Sequence, residues 1–283
     1  MNEVSKEVAN LNEKIQSVEL QGIPANDERD RRDLLLKKMS EKINIRYAEG
    51  DNGSMTITAG NNAILVSGFS HRDLSVQATP ASEGKREGNV DIFYKPTDNG
   101  TPVKVTQQLT GGQVGGLLNV RDNVINGLID RMDTLAYSLA TEVNSAHSQG
   151  FDRYNKTGNM FFEMPKSVYG ASQTLKLSDS VLQDVGRIAA AGQPDAPGDN
   201  RIANVISQVQ YKQFMGGDAT VDDYYGSIVG QLGIEAQRAN SAFSSQKDIV
   251  GQLKNIRESV SGVSLDEEAT KMIEFQKSFD ASA

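Results

Sequence analysis

The sequence predicts an α+β protein: an elongated bundle of long α-helices from both ends of the chain, with a small all-β domain inserted between them. Apolar residues recur at helical spacings over residues 1–42 and 113–283, apart from a loop or short-strand segment at about 150–198, whereas residues 43–112 alternate apolar and polar positions. The 283 residues include only 7 Pro, which leaves room for long uninterrupted helices. We therefore expect a discontinuous helical rod domain over 1–42 and 113–283, and a β domain over 43–112.

The composition argues against several kinds of chemistry. The chain has no Cys, which removes disulfides, thiolate nucleophiles and iron–sulfur clusters. Its net charge of −8, without a long basic block, disfavours nucleic-acid binding. Its apolar runs are far shorter than the ~20 residues that a membrane helix needs. We expect no cofactor, no metal, no nucleic acid and no membrane as partners.

The first helix carries a narrow apolar seam with spacings of 4 and 3 residues, as in a coiled coil. Gly22-Ile23-Pro24 ends the pattern. Because a helix of about five turns is marginal alone, this seam must pack against something. Its members are Val4, Val8, Leu11, Ile15 and Val18.

A second helix is predicted over residues 27–42. Its acidic and basic residues are spaced to pair along one solvated face, which favours a charge ladder over a phosphate-binding patch. The predicted pairs are Asp27–Arg31, Glu28–Arg32 and Asp33–Lys37, and the predicted buried side is Leu34, Leu35, Met39 and Ile43.

Residues 43 to about 110 predict six or so short strands. Asp51-Asn52-Gly53 and Asp98-Asn99-Gly100 are hairpin-turn signals, because Asn-Gly suits the positive φ angles of a tight turn. The loop Pro80–Asn89 is the most polar of the segment. The run Gly111–Gly116 lacks the Gly-Lys-Ser/Thr ending of a phosphate loop, so we interpret it as a turn into the next helix.

That next helix is predicted over about 114–148. Residues 150–198 are mixed, with a possible strand at Thr174–Leu177, and their acidic residues are too scattered for a Ca²⁺ loop. The predicted apolar stripe of the helix is Ile125, Leu128, Met132, Leu135 and Leu139, widened by Val124, Ala136 and Val143.

The last third returns to helix, with one segment near 202–209 and a very long one that follows a capping box at Thr220–Asp223. Gly262 ends the long helix, and Ser264–Glu267 is a second capping box that begins the last helix. Neither the first nor the last helix has an outer cap, so we expect a chain cut at both ends. Further candidate helix-packing or subunit-interface residues, besides the first seam, are Ile249, Leu253, Ile256, Val260, Leu265, Met272 and Phe279.

Two alternatives remain from the residues alone. A carboxylate-dependent hydrolase could use Asp222-Asp223 or Glu267-Glu268, but adjacent carboxylates on a helix diverge, and both pairs sit in first turns, where acids stabilise the helix end. A coiled-coil scaffold or signalling protein would leave the β segment without an explanation.

Several segments of the chain are similar to segments of one known family and occur in the same order. Asn26–Leu34, Gly115–Asp122, Asn144–Asp152, Asp184–Ala190 and Ser261–Glu268 resemble, in the same order, conserved segments of the flagellar hook-associated protein 1 family. Asp152 closes an Asn-x-x-His-x-x-Gly-x-Asp turn typical of that family. Taken together, the segments cover most of the chain outside the β domain.

The resemblance implies a structural protein of the bacterial flagellum, at the junction between hook and filament, that acts by packing and not by catalysis. It implies export through the flagellar type III system to an extracellular position, which a Cys-free chain suits. The implied partners are other copies, hook protein, the next hook-associated protein or flagellin, and an export chaperone. The present chain would be the core of such a protein without both terminal helical segments, and monomeric by itself.

Overall fold

The computed structural model describes residues 1–79, 89–97, 99–261 and 265–282. It divides into two compact units, Met1–Ala203 and Asn204–Ala283. Helices and two small antiparallel sheets make up the first unit, which confirms the α+β class. The elongated shape and the domain boundaries expected from the sequence stay predictions.

Two helices open the first unit. α1 covers Asn2–Glu19 and α2 covers Asn26–Lys42, which confirms both predicted helices. Between them, Gly22 adopts a positive φ of 78°, the conformation that ends many helices and that glycine tolerates best. The two helices pack against each other as a pair.

Seven strands lie between α2 and α3 in the described parts of that segment. A four-stranded sheet contains β1 (Ile45–Glu49), β2 (Met55–Ala59), β3 (Ala63–Ser67) and β4 (Ser70–His71), in that order and antiparallel. The predicted hairpin at Asp51–Gly53 joins β1 to β2. Gly50 N donates to Ser54 O at 2.8 Å across this turn, and Gly53 has a φ of 72°.

A second antiparallel sheet contains β5 (Leu74–Ala78), β6 (Val90–Tyr94) and β7 (Val103–Lys104). The polar loop predicted at Pro80–Asn89 lies outside the described residues apart from Asn89. The turn predicted at Asp98–Gly100 begins at Asp98, which is also outside them.

One apolar core joins α1 and α2 to the first sheet and to the residues after β7. Alternate residues of β2 are buried, as expected for a strand with one covered face. The core lies inside the first unit, so helices and strands are stabilised together. Its buried members are Val8, Ala9, Leu11, Leu35, Leu36, Met39, Ile43, Met55, Ile57, Ala59, Ala63, Leu65, Val66, Tyr94, Val105 and Leu109.

A long helix follows Gly111. It consists of α3 (Gly112–Asn119), a π-helical turn (Val120–Ile125) and α4 (Asn126–His147). The predicted helix is confirmed. Of its predicted apolar stripe, Ala136 and Val143 are buried, Leu128, Met132, Leu135 and Leu139 are half-buried, and Ile125 is exposed. The buried line of α4 is Asp133, Ala136, Ala140, Val143, Asn144 and His147.

Residues 150–198 form a loop segment with two short helices, α5 (Ala171–Thr174) and α6 (Asp179–Gln183). The strand predicted over 174–177 is wrong, because α5 occupies its start and only a single bridge joins Leu177 to Phe162.

The remaining elements are helical. α7 (Arg201–Gln208) is followed by a 3₁₀ turn at Val209–Tyr211, and a bridge between Met215 and Ala219 spans the Gly216-Gly217 break. α8 runs over Val221–Ser261, about 60 Å at 1.5 Å per residue, and α9 runs over Leu265–Ser282. Both predicted long C-terminal helices are confirmed; the capping residue Ser264 lies outside the described residues.

Candidate packing surfaces

The apolar seam of α1 is used inside the chain. Val8 and Ile15 are 0% exposed and Leu11 is buried with them. Val4 is half-buried and packs against the same core, and Val18 is half-buried. The seam therefore contacts the chain's own helices and strands, so these five residues do not form a free surface.

The apolar residues predicted on α8 and α9 have the opposite surroundings. Ile249, Leu253 and Ile256 are 48%, 60% and 59% exposed, and Met272 and Phe279 are also exposed. The side chains of Val260 and Leu265 lie outside the described part of the chain. The structure thus divides the predicted packing residues into a buried set on α1 and an exposed set on α8 and α9.

The exposed set forms faces, since its members recur at helical spacings. Ile249, Leu253 and Ile256 follow one another by 4 and 3 residues on α8. Met272, Phe275 and Phe279 follow by 3 and 4 residues on α9. Phe275, which is 74% exposed, was missed as a site residue, although its spacing from Met272 could have identified it. Exposed apolar faces of this kind are candidate packing sites.

The interior of the first unit contains an arginine that the sequence placed on a solvated ladder. Arg32 is 1% exposed. Its Nη1 donates to Asn12 Oδ1 at 3.1 Å and to Gly53 O at 2.6 Å, and its Nη2 lies 3.2 Å from Glu49 Oε1. The predicted Glu28–Arg32 pair is wrong, because Arg32 instead joins α2 to α1 and to the β1–β2 turn.

The neighbouring arginines also reach across elements. Arg31 bonds to Glu7 of α1 and not to Asp27, with its Nε 2.9 Å from Glu7 Oε1. Arg29 Nε donates to Glu19 Oε1 at 2.6 Å, and its Nη1 donates to Glu49 Oε1 at 2.6 Å. α2 therefore holds α1 and the first sheet by charged contacts as well as by apolar ones.

These contacts shift the ionisation of both glutamates. The hydrogen bond from Arg29 holds the pKa of Glu19 below its ordinary value of 4.5. Burial disfavours the charged form of Glu49, but hydrogen bonds and charges from Arg29 and Arg32 outweigh it, so its pKa is also lowered. The same pairing raises the pKa of Arg29.

The Asn-x-x-His-x-x-Gly-x-Asp turn is a hydrogen-bonding unit at the end of α4. Asn144 Oδ1 accepts from Phe161 N and Phe162 N, each at 2.9 Å, and its Nδ2 donates to Phe162 O at 2.9 Å. His147 is 0% exposed. Its Nε2 accepts from Ala189 N at 2.8 Å, so its Nδ1 carries the proton and donates to Asn159 O at 2.8 Å.

Two further residues complete this unit. Asp152 Oδ1 accepts from Tyr154 N and Lys156 N, each at 2.8 Å. A side chain at Gly150 would place its Cβ within 3.0 Å of Ala189 and Ile202, which explains why glycine suits the turn. The two ring nitrogens of His147 hold backbone groups of residues 159 and 189 in place.

The candidate hydrolase pair Asp222-Asp223 lies at the start of α8, where Asp223 forms the predicted capping box. Thr220 N donates to Asp223 Oδ2 at 3.2 Å, and Asp223 N donates to Thr220 Oγ1 at the same distance. Hydrogen bonds from the Thr220 side chain and backbone lower the pKa of Asp223. The side chains of Glu267 and Glu268 lie outside the described residues.

Within the described ranges, no three His, Cys, Asp or Glu side chains converge as metal ligands would. In the same ranges, no helix is both long enough and apolar enough to span a bilayer.

An α+β fold whose long helices keep apolar faces exposed is typical of proteins that work by packing against other proteins. Comparison with known families supports this class. Residues 1–162 match the family model described as the flagellar hook-associated protein FlgK helical domain. Because the match covers more than half of the chain, the chain belongs to the FlgK family.

Similar proteins agree with this assignment. The flagellar hook-associated protein 1 of Bacillus subtilis (strain 168) is 26% identical over 309 residues, covering 100% of this chain and 60% of that protein. The Escherichia coli (strain K12) protein of the same name is 24% identical over 367 residues, covering 100% and 66%. The chain therefore spans less than two thirds of these relatives.

The fold is shared with a solved structure, the flagellar hook junction protein FlgK from Burkholderia pseudomallei. The TM-score is 0.78 at 15% sequence identity, and the match covers 92% of this chain and 82% of that one. At this identity the likeness establishes the fold alone.

Proposed function

We propose that this chain is the packing core of a flagellar hook-associated protein that joins hook to filament. It works as a structural subunit outside the cell, after export through the flagellar type III system. Its proposed partners are copies of itself, hook protein, and the next hook-associated protein or flagellin. An export chaperone for the full-length parent is part of the same proposal.

The observation that carries the proposal is the exposed apolar face of α8 in a chain of this family. Ile249, Leu253 and Ile256 would transfer apolar area from water into an interface, at about 25 cal/mol per Å². A junction subunit needs such faces, because its activity is association. Catalysis has no comparable support: Asp223, the best placed carboxylate for hydrolysis, is engaged by Thr220 in the helix cap.

The test is complementation by the full-length parent in a strain that lacks its hook–filament junction protein. The parent carries Ile249→Asn, Leu253→Asn and Ile256→Asn together. We expect loss of swimming and of hook-attached filaments, counted by electron microscopy, while the variant is still exported into the medium.

A matched control changes three exposed polar residues of the same helix: Gln246→Ser, Gln252→Ser and Asn255→Ser. It should complement as the unaltered parent does. Circular dichroism of the purified variants checks that α8 is retained. Failure of the unaltered parent to complement would overturn the proposal, as would full complementation by the apolar variant.

The isolated chain should remain monomeric at micromolar concentration. A stable interface buries roughly 1,200–2,000 Å², which a few apolar residues on one helix face do not supply. Sedimentation velocity measures this directly, and a stable ring of many subunits would contradict it. Hydrolysis of generic esters or glycosides that disappears with Asp223→Asn would favour the enzyme alternative instead.

A further inference from the structure

The long helix after Gly111 is anchored at its two ends to different parts of the first unit. At its start, Val114 and Leu118 pack against the apolar core. A side chain at Gly112 would place its Cβ 2.5 Å from the Lys42 carbonyl carbon, so the helix start lies directly on the end of α2. We name α1, α2, β1–β7 and the helix from Gly112 to Leu118 the β module.

The other end of the helix is anchored to the loop segment. Asp133 accepts from Gly170 N and Ser172 N, each at 2.9 Å. Fourteen residues further on, His147 accepts from Ala189 N and donates to Asn159 O. We name the helix from Asp133 onward, with residues 150–191, the loop body.

Between the two anchors the helix buries none of its residues. From Asn119 to Met132, all of which the structure describes, no residue is buried. The stretch includes the π-helical turn Val120–Ile125 and Gly127. A π turn inserts a residue into the α-helical hydrogen-bond ladder, and glycine lowers the stability of a helix interior relative to alanine.

A cleft borders this stretch. It has a volume of about 300 Å³, and its lining includes Asp91 of β6, Gln107, Asn126 and Tyr169. Arg121 of the π turn donates to Val90 O at 2.8 Å, so the turn also contacts the second sheet. The cleft thus has the β module on one side, the weakly packed helix on another, and Tyr169 of the loop body at its edge.

We propose that residues 119–132 are a hinge, which bends at the π-helical turn and opens or closes this cleft between the β module and the loop body. Bending there costs little packing, because no buried side chain has to move between the two anchors. The two bodies themselves stay rigid, since each is held by buried residues.

The chain lacks cysteine, so pairs of introduced cysteines can carry spin labels for distance measurement. The pair Lys38→Cys and Ser145→Cys joins the β module to the loop body. Control pairs lie within one body: Lys38→Cys with Arg46→Cys, and Ser145→Cys with Gln183→Cys. We expect the first pair to give a distance distribution at least about twice as wide as either control.

Gly127→Ala tests whether the hinge lies at this stretch. Hydrogen exchange of amides 120–130 should slow about 2- to 5-fold, the factor that corresponds to the helix propensity of alanine over glycine. The distance distribution between the bodies should narrow. Gly226→Ala, in the exposed part of α8, is the matched control and should leave exchange at 120–130 unchanged.

Two results would overturn the proposal. One is a distribution between the bodies that is no wider than those within them. The other is exchange at 120–130 as slow as that at 136–147 in the unaltered chain. The double variant Asn123→Ala with Gly127→Ala should slow exchange further and narrow the distribution again; if it does neither, the hinge does not lie at the π turn.

Discussion

α1 and α8 carry the same spacing of apolar residues and meet opposite surroundings. Val8 and Ile15 of α1 are fully buried, whereas Leu253 and Ile256 of α8 are about as exposed as surface residues. A 4-and-3 spacing predicts that a helix packs along one face. The comparison shows that it does not indicate whether the partner belongs to the same chain.

The difference follows from what each unit supplies. α1 packs against α2 and against β3 and β4 of the first sheet. Within its described residues, the second unit contains helices, a 3₁₀ turn and one isolated bridge. It offers α8 no sheet face, and the apolar residues from Ile249 to Ile256 stay exposed.

The largest expected effect comes from placing a carboxylate in each seam. Ile15→Asp places a carboxylate at a position that is 0% exposed, which should cost more than about 5 kcal/mol and unfold the first unit. Ile256→Asp, its counterpart on α8, should leave both units folded. Hydrogen-exchange mass spectrometry of peptides from each unit measures the two outcomes separately.

The comparison between the seams would fail if Ile15→Asp kept slow exchange in peptides from β2 and β3. It would also fail if Ile256→Asp unfolded the second unit, because α8 would then be supported by its own seam.

A smaller effect is expected for the buried arginine that ties α1 to α2. Arg32→Ala removes the donor to Asn12 Oδ1 and to Gly53 O, and leaves Glu49 with one cationic partner fewer. We expect the free energy of unfolding of the first unit to fall by about 3 kcal/mol in urea titrations. Arg31→Ala, which removes an exposed pair with Glu7, should cost less than about 1 kcal/mol.

Equal losses for Arg32→Ala and Arg31→Ala would mean that burial does not distinguish the two arginines. The bonds across elements at Arg32 would then be incidental to the packing of α1.

The loop segment is held on α4 in a third way, by hydrogen bonds from buried polar side chains and not by an apolar seam. Asn144→Ala leaves Phe161 N and Phe162 N without their acceptor, so we expect a loss of about 2 kcal/mol and faster exchange at residues 159–163. Ser145→Ala, at the next and exposed position of the helix, should change neither quantity. Unchanged exchange at 159–163 in Asn144→Ala would contradict the role assigned to this side chain.

The sequence predicted the elements better than their partners. The long helices, both hairpin strands around Asp51–Gly53 and the capping box at Thr220 follow from local chemistry, and each is present. The charge ladder of α2 was wrong at Arg31 and Arg32, because i,i+4 spacing compares residues on one helix only. Their actual partners are 17 to 24 positions away, on α1, at the end of β1 and at the β1–β2 turn.

The buried face of α4 was predicted only in part, for a related reason. Its large apolar residues predicted the covered face, yet the buried line includes Asp133, Asn144 and His147. These polar side chains are buried because they bond to backbone groups of the loop segment, and apolar periodicity carries no signal for such bonds. The π turn at Val120–Ile125 has no sequence signal that we can identify.

The smallest expected effect is on the pH dependence of stability, which should again differ between the two units. The lowered pKa values of Glu19 and Glu49 mean that their ion pairs contribute stability in full above about pH 4.5, which is lost as the pH falls through the folded-state pKa values. We expect peptides of the first unit to lose protection as the pH falls below about 4.5. In Arg29→Gln, which removes the partner that Glu19 and Glu49 share, the protection of first-unit peptides should fall less steeply with pH.

Arg238→Gln is the matched control, because it makes the same charge change in an exposed pair with Glu235 of α8. In this variant the protection of first-unit peptides should fall with pH as it does in the unaltered chain. An equal flattening by both variants would show that net charge, and not the contact of α2 with α1 and β1, sets the acid sensitivity.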